Sequence, residues 1–238
     1  MYARARRGLV TAIQAVAIQP TEALVFDSSP GEPAHGEWPL KFATERPGLT
    51  VINCSQGGAE FETHTPANTG FSTFGLIDRW ADWILSQKSD DPDVRSVLIL
   101  APGAHMNRLT YNSYDGVGLP YGHAFTNGAS VYTAAYGIGD VIDLAHASEI
   151  EIAVCTAWYW EDPDYVRATY RAFVDQMNAA IVANTRGADW VFDLAPTTPL
   201  FDPVTNSPAY YADGFHPSVP LGSDAMGERV AAASVGAF

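Results

Sequence analysis

Five short, mostly apolar runs recur along this chain, at 23–27, 49–54, 95–101, 149–156 and 189–194. Each reads as a buried strand. The stretches between and after them are longer and predict helices at 36–45, 72–87, 129–146, 163–185 and 220–234, with Asp90-Asp91-Pro92 breaking the second of these before its strand. Strands that alternate with helices are joined by crossovers, and crossovers make parallel pairs. The chain is therefore expected to be α/β with a mainly parallel sheet. Gly103 to Gly128 does not fit this rhythm. It is rich in Gly, Tyr and Asn and has no period, and a loop of that length in a compact domain is usually functional.

With 238 residues the chain is expected to form one domain, 1–238, with a sizeable core. No repeat or low-complexity linker divides it. The N-terminal part offers two readings. Arg4, Arg6 and Arg7 precede an apolar stretch from Gly8 to Ile18, and Ala15-Val16-Ala17 mimics a signal-peptidase site. Against this, Gln14 interrupts the stretch, and Leu9, Ile13 and Val16 recur at helical spacing. The expectation is a helix at 4–17, within an N-terminal segment 1–20 that packs on the domain.

A net charge of −14 disfavours nucleic acid and anionic membrane surfaces as partners. No apolar run reaches membrane-spanning length, so a soluble protein is expected. Cys54 and Cys155 fall in or beside strands and read as buried thiols rather than a disulfide framework. No Cys/His cluster has zinc spacing, and neither a metal nor a cofactor is expected. There is no G-x-S-x-G elbow, and Gly116-Val117-Gly118 and Gly137-Ile138-Gly139 complete no nucleotide fingerprint. His35, His64 and His146 read as surface or packing residues.

Two motifs carry chemistry. Asp213-Gly214-Phe215-His216 lies in a turn-rich stretch before the last helix. A carboxylate there can fix the tautomer of an imidazole that takes a proton from a nucleophile. The plain alternative is a surface turn. Far upstream, Ala23-Leu24-Val25-Phe26 runs into Asp27-Ser28-Ser29-Pro30-Gly31. A serine at the carboxyl end of a parallel strand lies where open α/β sheets place ligands. Ser28 or Ser29 could equally cap the next helix, and both roles are compatible. Trp80 and Trp83 are spaced as helix-face neighbours and read as core. Trp158, Tyr159 and Trp160 follow a strand and suit the lining of a cleft for a sugar or an apolar acyl group. Tyr111, Tyr114, Tyr121 and His123 of the long loop are candidate ligand contacts. Simple packing is the alternative for the tryptophans, and a surface loop with aromatic anchors for the residues of the long loop.

Strand-Asp-Ser-turn near the start and Asp-x-x-His near the end together resemble the SGNH (GDSL-type) hydrolase family. The intervening blocks fit in order. Leu49 to Gly58 resembles the strand and oxyanion glycine of the second block, and Val97 to His105 the strand leading into the third. Tyr170 to Asn178 and Trp190 to Leu194 resemble the helix and late strand that precede the Asp-x-x-His loop. The likeness spans the chain from about Thr21 onward. Two blocks depart from the pattern. Phe26 stands where the family has glycine before Asp-Ser, and Gly103-Ala104-His105-Met106 stands for Gly-x-Asn-Asp, with Asn107 following.

The resemblance implies a three-layer α/β/α flavodoxin-like sandwich with a central, mainly five-stranded parallel sheet. It implies a serine ester hydrolase with Ser28 as nucleophile, His216 as base and Asp213 as orienting carboxylate. The oxyanion would be held by the backbone N–H groups of Ser28 and Gly58 and by a side chain from either His105 or Asn107. Tyr111, Tyr114, Trp158, Trp160 and Phe215 would contact the substrate. The implied substrates are O-acetylated carbohydrates or short-chain esters. A second expectation, a glycan-binding or structural module on the same fold, rests on the two departures and on the aromatic loop.

Overall fold

A computed structural model of the chain describes residues 19–27, 38–57, 59, 75–101, 129–157, 175, 177–184, 186–194 and 217–238, with 129–136 described in backbone only. Five strands form one sheet: β1 (Glu22–Phe26), β2 (Thr50–Asn53), β3 (Ser96–Leu100), β4 (Glu151–Cys155) and β5 (Trp190–Phe192). Their order is β2-β1-β3-β4-β5, and every pairing is parallel. Around them lie α1 (Trp38–Glu45), α2 (Ala129–Ala147), a helical stretch at 177–183 and α3 (Leu221–Ser234). This is the expected three-layer α/β/α sandwich, with the strand order of flavodoxin-like sheets.

The continuous apolar runs follow from burial on both faces. Every residue of β1 and of β3 is buried. Glu22 is the charged exception, and its carboxylate accepts hydrogen bonds from Ser96 Oγ at 2.6 Å and Ser89 N at 3.2 Å.

The direction of the chain sets the layers. From β1 it crosses to β2 on one side, whereas β3, β4 and β5 follow on the other. Right-handed crossovers in opposite directions put their helices on opposite faces. The contacts agree. Asp27, at the end of β1, is bonded to Trp38 of α1, while its neighbour Phe26 stacks on Trp83 with ring centroids 5.9 Å apart. Trp190 and Phe192 meet Phe238, which follows α3, at 5.1 and 6.1 Å. On the far face Ile138 and Ile142 of α2 and Ile181 gather with Val154 and Val191.

α3 runs parallel to α1. Gly227 lies against Trp38 and Lys41, Lys41 pairs with Glu228 at 3.0 Å, and further on in the same direction along both, Arg46, just past α1, is bonded to Ser234. Trp38 lies beside the carboxyl end of β1, so both helices start at that pole. Ser28 and Ser29, and with them the capping role expected for either, lie outside the described residues.

Most expected elements match within one or two residues. One does not. In place of regular helix through 87, turns at 76–79 lead into a π-helical segment, Ala81–Leu85. The indole of Trp80 reaches across to Ser148 Oγ at 3.0 Å while Ile84 is fully buried. Long-range partners override local helical spacing here. Trp80 is core as expected, and Trp83 is half-buried. The helix expected at 4–17 and residues 163–174 of the one expected at 163–185 lie outside the described residues.

Candidate active site

The sheet reverses its direction of growth between β1 and β3, and the crevice outside their carboxyl ends is the topological switch point. Ser28, Gly58, His105, Asn107, Tyr111, Tyr114, Tyr121, His123, Trp158, Trp160, Asp213, Phe215 and His216 all lie outside the described residues. Their described neighbours define the edge from which these segments depart. Asp27 precedes Ser28, Gly57 precedes Gly58, Ala101 follows β3, Ala157 follows β4, and Pro217 leads into α3.

At this edge the backbone is held largely by side chains. Asp27 is fully buried. Its carboxylate Oδ2 accepts the indole N–H of Trp38 at 2.8 Å, its N–H donates to Ser55 Oγ at 3.2 Å, and its carbonyl accepts Gln56 N at 3.2 Å. Ser55 is turned in by its own N–H, which donates to Asn53 Oδ1 at 3.0 Å. Beyond β4, Asn178 holds Ala157 at both ends. Ala157 N donates to its Oδ1 at 2.7 Å, and its Nδ2 donates to Ala157 O at 2.9 Å. Thr156 Oγ1 accepts Leu194 N at 2.8 Å, which ties the exits of β4 and β5 together. Buried backbone groups need partners, and Asn53, Ser55, Asn178 and Thr156 supply them where the ladder ends.

Trp38, Ser55, Thr156 and Asn178 were not read as site residues from sequence. Their partners lie 11 to 38 positions away along the chain, or on a different element. Only Trp38 carried a local mark, since it opens a helix whose first turn contains proline.

Both cysteines are buried and reduced, as expected. Burial pushes the Cys54 thiol up to about 12, with the Glu22 carboxylate adding to the effect. Burial also raises the Cys155 thiol, and the Asp27 carboxylate adds to it. Neither is an activated nucleophile.

The side chain of Phe26 is fully buried on the face away from Trp38, stacked on Trp83. The extra volume at the position where the family has glycine is absorbed by the core.

At the opposite pole, where β3 and β4 begin, lies an open cleft of about 920 Å³ lined by Lys88, Asp91, Arg95, His146, Glu151 and Asp189 among others. His146 Nε2 is 3.0 Å from Asp189 Oδ2, and Arg95 pairs with Glu151. Ser148 also lines the cleft, so serine, histidine and aspartate all occur there. It is not a nucleophilic triad: the Ser148 hydroxyl donates to Leu144 O at 2.7 Å and accepts from Trp80. Among the described residues there is no group of three or more His, Cys, Asp or Glu that could hold a metal, and no helix long and apolar enough to cross a membrane.

No protein-family model matches the sequence, and no curated protein matches it. Solved structures do. A GDSL-like lipase from Bacteroides thetaiotaomicron superposes with a TM-score of 0.58 at 12% identity, covering 92% of this chain and 89% of that one. A member of the lipolytic G-D-S-L family from Veillonella parvula gives 0.55 at 16% identity, with coverage of 91% and 97%. An acetyl xylan esterase gives 0.57 at 16% identity, with coverage of 89% and 98%. At such identities the likeness is one of fold, and over nearly its whole length this chain has the fold of GDSL-type lipases and esterases.

Proposed function

We propose that this chain is a serine hydrolase of carboxylic ester bonds. One observation carries the reading. The segments bearing Ser28, Gly58 and His105 or Asn107 leave the sheet at a single carboxyl edge, the segment bearing Asp213 and His216 enters α3 at the same pole, and the frame is that of GDSL-type esterases.

In this reading Ser28 Oγ attacks the ester carbonyl carbon while His216 takes its proton. Asp213 orients the ring and stabilises the imidazolium. The negative oxygen is held by the N–H groups of Ser28 and Gly58 and by His105 or Asn107. Collapse of the tetrahedral intermediate breaks the carbon–alkoxide bond, and His216 returns the proton to the leaving alcohol. Water then attacks the acyl-serine by the same route and releases the acid. The substrates proposed are O-acetylated carbohydrates or short-chain esters, with Tyr111, Tyr114, Trp158, Trp160 and Phe215 lining the cleft. The burial of Phe26 removes one ground for a non-catalytic module.

Fluorophosphonate labelling tests the proposal. Wild type is expected to label, whereas Ser28→Ala and His216→Ala are expected not to, with unchanged circular dichroism. Equal labelling of Ser28→Ala would remove Ser28 from its role. No labelling of folded wild type would overturn the enzyme reading.

A further inference from the structure

We infer that Trp38 is a positioning residue for the nucleophile: through the Asp27 carboxylate, its indole N–H fixes how the chain leaves β1 toward Ser28. The inference rests on the ester-hydrolase reading above and names a part of that machinery outside the triad and the oxyanion donors.

Asp27 is a fully buried carboxylate at the end of a strand that is buried throughout. Such a group persists only when donors face it. Trp38 supplies one at 2.8 Å, the length of a charge-assisted bond. Indole nitrogen is a donor only, so the contact has one polarity and cannot be reversed. Trp38 is itself fully buried, and its carbonyl is pressed against Gly227 of α3. The donor is therefore carried on a ring with little room to shift.

The partners of Asp27 include Trp38 at the carboxylate, Ser55 at the N–H and Gln56 at the carbonyl. The carbonyl of Asp27 and the N–H of residue 28 belong to one planar peptide unit. Whatever sets the direction of that carbonyl also sets the direction of the N–H proposed to face the oxyanion. Nucleophile and donor thus share one point of attachment, Asp27, whose carbonyl Gln56 holds and whose side chain Trp38 restrains. A small misplacement of reacting groups can cost about a hundredfold in rate.

The test follows the kinetics of fluorophosphonate labelling, separating the maximal inactivation rate from the concentration dependence. Two replacements at position 38 are used. Trp38→Phe removes the N–H and part of the ring. Benzothienylalanine keeps the ring size and substitutes sulfur for the N–H, so the protein folds with its core filled. For both, the inactivation rate is expected to fall roughly tenfold to a hundredfold, with its half-saturating probe concentration unchanged and every molecule labelled in the end. Wild-type rates in the benzothienylalanine protein would overturn the inference, even if Trp38→Phe is slow, because ring volume would then be the cause. A reduced labelled fraction at an unchanged rate would overturn it too, since that is the mark of a structural role alone. Failure of folded wild type to label overturns the hydrolase reading and this inference with it, whereas a labelled wild type with equally fast variants overturns this inference only.

Discussion

Gly227 of α3 and Trp38 of α1 approach so closely that a Cβ placed on the glycine would lie 2.7 Å from the Trp38 carbonyl oxygen and 2.6 Å from Lys41 Cβ. The neighbours are backbone and the root of a side chain, so neither can swing aside. Gly227→Ala is expected to cost about 1–3 kcal/mol in urea unfolding, as overpacking does. Gly139→Ala is the informative comparison. The nearest atoms to its Cβ would be those of the Arg186 guanidinium, 2.4 Å away at the end of a flexible chain. That variant is expected to stay within about 1 kcal/mol of wild type. Equal losses would refute the account of the α1–α3 contact.

Asn178 and Asn184 make the same double hydrogen bond, each to the backbone N–H and C=O of one alanine. They differ in burial. Asn178 is buried against Ala157, so Asn178→Ala leaves two buried backbone groups without partners and is expected to cost about 2–4 kcal/mol. Asn184 is half-exposed with φ of 47°. Asn184→Gly accepts that backbone angle and lets water take over, for a loss of about 1 kcal/mol or less. Chemical denaturation of the two variants checks the ordering.

The buried thiols make stability fall in alkali. Their folded values are raised above the ordinary 9.0, that of Cys54 to about 12. Below pH 9 both folded and unfolded thiols are protonated and the full stability is present. Between pH 9 and 12 the unfolded chain loses protons that the folded one retains, so stability declines as pH rises through that window. Cys54→Ala combined with Cys155→Ala is expected to flatten this part of the profile. In native wild type neither thiol should react with Ellman's reagent at pH 8, and both should react once the chain is unfolded in urea.

Restoring glycine at position 26 should not help catalysis. Phe26 fills the core against Trp83, so Phe26→Gly is expected to cost at least about 3–5 kcal/mol. Under conditions where the variant remains folded, its rate of fluorophosphonate labelling should not exceed that of wild type. A faster rate would mean that the phenylalanine hinders the edge.

The strands were legible because a parallel sheet covered on both faces needs unbroken apolar runs, as at Leu98-Ile99-Leu100. Alternation with helices then gave the layers. Strand order was expected only through the resemblance, because nothing local records which strands are neighbours. The π-helical turn at 81–85 escaped because Trp80 answers to Ser148, 68 positions away. The restraints on the carboxyl edge escaped for the same reason. An asparagine at 178 reads as one polar residue in a helix until the fold brings Ala157 to it.

The side-chain fastenings at the carboxyl edge have an evolutionary consequence. Ladder bonds are shared between strands, so altering one disturbs its neighbour. Trp38 and Asn178 instead act on separate exits, at Asp27 and Ala157. Each of these two loops can thus be re-aimed by a change at one codon while the pairing beneath it is inherited intact. Such a frame can diverge far in sequence and still be recognised by its shape.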